Sequence, residues 1–162
     1  MARTDTTSAE TPLVAEIDRH APVAGSSEIA IAAAPEVAWD VLTAIEDWPS
    51  WNPAVRSASC EGAIAEGSRF RWKAGPGTIT STIEDLDAPR RIAWSGTSFG
   101  IKAIHVHAFE PRDGGTLVST EESYDGVVAR LFRRRLQKTL DNALRSELEN
   151  LKAEAERRQR SA

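Results

Sequence analysis

The last third of the chain carries the pattern that most restricts its fold. Val128, Leu131, Phe132, Leu136, Leu140, Leu144, Leu148, Leu151 and Ala155 recur at spacings of three and four residues, which puts them along one face of an amphipathic helix about eight turns long. The helix is expected to start after Gly126 and to lose its apolar stripe in residues 152–160, where charges alternate. One stripe of that length needs a broad apolar surface to lie on.

The residues ahead of it supply a sheet. Phe70, Trp72 and Ala74 alternate with Arg69, Arg71 and Lys73, so one side of that strand is core and the other wet. By the same reading, strands are expected over residues 55–61, 68–74, 78–86, 91–95, 101–110 and 116–124, separated by turns rich in Gly, Pro and Asp. Six strands in succession read as an antiparallel meander. A first strand, with Ile29 and Ile31 alternating, precedes them.

Between the first strand and the meander lies a helical corner. Pro35 and Glu36 suit the first turn of a helix, where one lacks an N–H that would have no partner and the other favours the positive end of the dipole. Ala38, Val41, Leu42 and Ile45 form its buried stripe, with Trp39 at the edge. A second, very short helix is expected, capped by Asp47 and ended by Pro53. Trp39, Trp48 and Trp51 make this a packed corner beneath one end of the long helix.

At 162 residues the chain fits one domain, read as 26–158 behind a flexible segment 1–25. Residues 1–11 read as disordered and 13–20 as one or two weak helical turns. A single cysteine, Cys60, excludes an internal disulfide and a multi-cysteine zinc site. The net charge of −4 argues against nucleic-acid binding. No apolar secretory segment and no run of membrane-spanning length is present, which makes a cytoplasmic protein the expectation.

Strand, two short helices, six strands and a long helix resemble the START-like helix-grip superfamily, and within it the polyketide cyclase/dehydrase-like group of SRPBCC proteins. The resemblance runs over residues 26–155 and is carried by Ala34-Pro35-Glu36-x-x-Trp39, Trp48-Pro49-x-Trp51-Asn52-Pro53, Gly114-Gly115-Thr116-x-Val118, Glu121-Glu122 and the terminal helix. It implies an α+β fold in which a curved antiparallel sheet of about seven strands wraps around the helix. It also implies an elongated cavity between them, used in related proteins for sterols, lipids, plant hormones, polyketide chains or quinones. Members include enzymes and non-catalytic binders, so function has to come from the site.

Gly96-Thr97-Ser98-Phe99-Gly100 matches the G-x-S-x-G string, but the strand-like residues after it and the lack of an acid before His105 exclude a nucleophile elbow. His105 and His107 share one face of a strand, with Glu121 or Glu122 on the neighbouring strand as the nearest third ligand. That is an incomplete zinc set, so no metal and no other cofactor is expected. Two hairpin registers are open: one sets His105 opposite Glu122, the other opposite Glu121. The first is favoured because it groups His105, His107 and Phe109 with Val118, Glu122 and Tyr124. A neighbouring carboxylate is then expected to raise the His105 pKa.

The candidate acid/base groups are Glu122, His105 and Tyr124, with His107 and Thr120 as further polar lining. Apolar lining is expected from Phe70, Trp72, Ile83, Trp94 and Phe109 on the strands, and from Leu136 and Leu140 on the helix. With no nucleophile or cofactor fingerprint, the balance favours binding a small hydrophobic molecule such as a lipid, polyketide or isoprenoid. A cyclase or dehydratase and an interaction module with a filled core are the alternatives. Arg130, Arg133, Arg134, Arg135 and Lys138 form either a solvated helix face or a weak contact to a membrane surface. A monomer or a homodimer is expected.

Overall fold

The computed structural model describes residues 14–162. The expectations for residues 1–11 and for Leu13 lie outside them. Seven strands form one antiparallel sheet: β1 (Val23–Ile31), β2 (Val55–Cys60), β3 (Arg69–Ala74), β4 (Gly77–Asp87), β5 (Arg91–Ser98), β6 (Ile101–Arg112) and β7 (Gly115–Asp125). Their order is β1-β7-β6-β5-β4-β3-β2, so the meander runs from one edge and β1 closes the other beside β7. Register shifts at Val55/Ser57 and Ile83/Asp85 add local bend and twist. Helix α1 (Pro35–Thr43), a single 3-10 turn and α2 (Trp48–Trp51) form the corner after β1. The C-terminal helix is in two parts, α3 (Val127–Leu131) and α4 (Arg133–Ser161). Leu140, Leu144, Leu148, Leu151 and Ala155 of α4 are buried, as the stripe requires. This is the α+β helix-grip fold.

Several local expectations need correction. Sheet pairing begins at Val23, so residues 23–25 belong to β1 and pair with Tyr124, Ser123 and Glu122. Val23 is drawn in because it packs on Leu140 and Leu144. Residues 14–18 form no helical turn, and the segment closes one hydrogen-bonded turn only at its end, where the Ala21 amide donates to the Asp18 carbonyl; the Asp18 amide donates to Ser123 Oγ and Arg19 pairs with Glu121, which ties this segment to the sheet. Asp47 makes no side-chain cap. The long helix breaks at Phe132 (φ −109°, ψ 23°). The break lets Ala129 reach the core while Leu131 and Phe132 turn to solvent, so neither belongs to the core stripe.

The three corner tryptophans are buried. Trp48 meets Phe70 and Trp72 edge-on at 5.6 and 5.5 Å, and Trp39 meets Phe109 at 5.6 Å. Trp48 Nε1 donates to the Leu42 carbonyl at 2.7 Å, which satisfies its one polar atom. Among the described residues no helix is long and apolar enough to cross a membrane.

Candidate functional site

A cavity of about 610 Å³ lies between the open half of the sheet and α4. Its walls are mostly apolar, from Trp72, Ile79, Trp94, Ile101, Leu136 and Leu144, and its polar groups include His105, Glu122, Tyr124 and Glu147. A core filled throughout by side chains, one of the three sequence readings, does not fit this void.

The sequence-derived lining divides in two. Trp72, Trp94, His105, Glu122, Tyr124 and Leu136 line the cavity. Phe70, Ile83 and Phe109 do not: they sit in the closed core, where Trp39 and Trp48 occupy the space beside them. Leu140 is fully buried against Val23 and Leu144 instead of facing the void. His107 and Thr120 are fully buried and bonded into the network around His105.

The β6–β7 hairpin turns through Asp113-Gly114 with Arg112 opposite Gly115, which sets His105 opposite Glu122. The Thr120 hydroxyl lies 2.7 Å from His105 Nε2 and 3.3 Å from His107 Nε2. His107 Nε2 lies 2.6 Å from Glu147 Oε1. Glu147 was not found from the sequence, although it sits three residues after Leu144 and four before Leu151, on the buried face of its helix. A carboxylate in that stripe was the available signal. Trp94 lies against both imidazoles, with ring centroids 5.0 Å from each.

Burial governs the charges. It drives His105 down to about 3, helped by His107 and opposed by Glu147, so the imidazole is neutral at pH 7. The expected upward shift is therefore reversed. The reason lies in its neighbour: burial and then Glu147 push the Glu122 carboxyl well above the carboxylate range, against a hydrogen bond from Tyr124, leaving a neutral acid where a countercharge was expected. Glu122 Oε1 is also 3.8 Å from His105 Nδ1, too far for a direct hydrogen bond. Burial also pushes Glu147 up, but His105, His107 and the bond from His107 together hold it low. Tyr124 is raised by burial, then by Glu122 and Glu147. An ionised Glu147 accepts from His107 Nε2–H, which leaves His105 Nε2, at 2.7 Å, as the acceptor for the Thr120 hydroxyl. His105 thus keeps its proton on Nδ1, toward Glu122.

His105, His107 and Glu147 each offer one donor atom, all within 4.8 Å of one another. The third ligand missing from the strands thus comes from α4, and a first-row divalent ion takes such a set. Metal on both Nε2 atoms would displace the hydrogen bonds that these atoms make to Glu147 and Thr120 and would move the His107 proton onto Nδ1, which is buried with no partner in either tautomer.

Two other sequence features lie outside the polar cluster, although Ser98 borders the cavity. Ser98 Oγ donates to the Thr78 carbonyl at the end of β5, in a strand-turn-strand context. Cys60 is half-buried, and burial, Glu46 and Glu61 push its thiol up.

A sequence profile described as polyketide cyclase / dehydrase and lipid transport matches residues 22–156. The chain belongs to this family. Among curated proteins no sequence matches. Solved structures share the fold. A hypothetical protein from Helicobacter pylori superposes with a TM-score of 0.76 at 16% identity, covering 90% of this chain and 99% of its own. The di-domain ARO/CYC protein StfQ from the steffimycin biosynthetic pathway gives 0.72 at 19% identity over 84% of this chain, which spans about half (51%) of StfQ. A protein from Thermus thermophilus gives 0.70 at 20%, covering 82% and 96% of the two chains. The chain thus has the helix-grip scaffold of the polyketide cyclase/dehydrase family, with His105, Glu122, Tyr124 and Glu147 on its cavity wall.

Proposed function

We propose that the protein binds, and carries, one small and largely apolar molecule bearing a carbonyl, hydroxyl or carboxyl group, of the lipid, polyketide or isoprenoid class. The observation behind this reading is the combination of a void of about 610 Å³ with apolar walls and a polar cluster, the usual make-up of a small-ligand site. Neutral Glu122, Tyr124 and the His105 Nδ1–H would hold the polar end, and Trp72, Ile79 and Leu136 the body. His105 is a donor in this setting, because its bare nitrogen is engaged by Thr120. That favours anchoring a ligand over abstracting its proton. Native mass spectrometry of freshly purified protein is expected to show a co-purified apolar molecule released by organic solvent. Protein of apoprotein mass that takes up no fatty acid, polyketide or isoprenoid probe would overturn the reading.

One observation favours a second reading. Glu122 and Glu147 are pushed apart in pKa, the arrangement from which an acid and a base are made. A cyclase or dehydratase would use Glu122 to protonate a carbonyl or departing hydroxyl oxygen and Glu147 to take a proton from carbon. Loss of water from a bound hydroxyketone in wild type, but not in Glu122→Gln, would establish it.

A further inference from the structure

Large apolar side chains stand exposed at one end of the molecule. Phe99 (69% exposed), Val127 (71%), Leu131 (72%) and Phe132 (55%) are four of the five large hydrophobic residues open to solvent among the described residues. They come together because the β5–β6 turn and α3 are packed on each other: a Cβ on Gly126 would stand 2.3 Å from the Gly100 carbonyl oxygen, and one on Gly100 would touch Val128. Phe99 occupies this turn at φ +48°, a left-handed conformation that suits glycine or asparagine far better than a large side chain. Its ring lies over Gly77, where a Cβ would stand 2.2 Å from the ring. Both residues line the cavity, so the apolar cluster borders the cavity mouth.

The same end is strongly basic although the whole chain is net negative. Residues 130–138 hold Arg130, Arg133, Arg134, Arg135 and Lys138 with no acidic residue among them. Arg130 pairs with Asp125 at 3.4 Å; among the described residues the other four pair with no carboxylate. Arg133, Arg134, Lys138 and Arg145 line an open groove of about 700 Å³, with Asp141 also on its wall.

We propose that this end docks on an anionic lipid bilayer, with Phe99, Val127, Leu131 and Phe132 entering the headgroup boundary and the cations seated on the headgroups. Single apolar side chains interleaved with arginines on a turn and a helix corner are what an interface of this kind takes up. A second copy facing this one would set five cations against five. The docking stands on the exposed surface alone; its use, moving an apolar ligand between bilayer and cavity without crossing water, rests on the binding function proposed above.

Flotation with vesicles of phosphatidylcholine alone, or mixed with phosphatidylserine, tests it. Wild-type protein is expected to float with the anionic vesicles, less so at high salt, and not with the neutral ones. Arg133→Gln with Arg134→Gln is expected to lower partitioning about 25-fold, at about fivefold (~1 kcal/mol) per cation. Leu131→Ser with Phe132→Ser is expected to abolish most of it while circular dichroism and melting temperature stay at wild-type values, both sites being exposed. Phe99→Trp is expected to be quenched by brominated lipid. Leu136→Trp, which blocks the cavity, is expected to float like wild type, so failure of ligand binding and failure of docking are distinguishable. Protein that floats with neither vesicle, floats equally with both, or binds only soluble polyanions such as heparin or an acidic protein overturns the proposal.

Discussion

Glu122→Gln is expected to turn a nearly flat dependence of stability on pH into a steep one. His105 and Glu122 face each other across β6 and β7, and burial moves both away from charge. His105 titrates near 3 against an ordinary 6.5, and Glu122 well above 4.5. Between 4.5 and 6.5 the unfolded chain therefore holds one more proton on His105, and the folded chain, up to the raised value of Glu122, one more on Glu122. These counts cancel, so the pair contributes almost no slope. The glutamine substitution removes the second count and leaves the first. Stability is then complete above about 6.5 and is lost as pH falls toward the folded value, at about 1.4 kcal/mol per pH unit once His105 is protonated in the unfolded chain. Down to pH 4.5 the loss is about 3 kcal/mol, against a total of roughly 5 to 15 for a domain. His105→Gln leaves Glu122 alone and inverts the slope: stability falls as pH rises above 4.5 toward the folded value of Glu122. Glu147, held low beside both histidines, contributes only below about 4.5. Urea denaturation followed by tryptophan fluorescence across this range measures the slopes, and differences between variants cancel the surface carboxylates. A Glu122→Gln profile parallel to wild type, or greater stability near pH 5 than near pH 7, would refute the buried-proton arrangement.

Trp39→Ala is expected to cost about 3 to 5 kcal/mol, the range for deleting a large buried aromatic, because Trp39 is buried against Phe109; an unchanged thermal melt contradicts that packing role. Leu136→Trp is expected to fill part of the cavity and to abolish ligand retention in native mass spectrometry with little change in melting temperature. Titration with Co2+ is expected to give no visible d–d absorption, and bands that vanish in His107→Gln would mean that His107 changes tautomer and that the hydrogen-bond network is the wrong account of the three donors.

The elements were legible because each had its own period. The alternation of Phe70, Trp72 and Ala74 marks a strand, and the spacing of Leu140, Leu144, Leu148 and Leu151 marks a helix, whatever surrounds them. The His105 and Glu122 pairing was legible too, since a tight turn fixes everything upstream of it. Which inward residues border empty space was not. Phe70 and Trp72 have the same phase on β3, yet one lies in closed core and the other on the cavity wall, because only the placement of Trp39 and Trp48 decides which end of the sheet is filled. Glu147 escaped for a related reason: its partners are two histidines of one strand, β6, some forty residues away, and helix periodicity says nothing about what the stripe rests on. The sign of the His105 shift failed because burial of both partners outweighed their proximity.

The position of β1 has a consequence for the order in which the protein comes into being. Among the described residues its only strand partner is β7 and its main packing partner is α4, so Ile31 waits for Thr116 and Val23 for Tyr124. At ribosomal rates of about 5 to 20 residues per second, that delay is roughly 4 to 20 seconds for an emerging chain. Throughout it, β1 has made neither its ladder nor its packing against Leu140 and Leu144, and its alternating apolar residues are open to other chains. The two halves of the polar cluster likewise meet only when α4 closes over the sheet, so the cavity is the last part of the fold to exist and a nascent chain has nothing with which to hold a ligand.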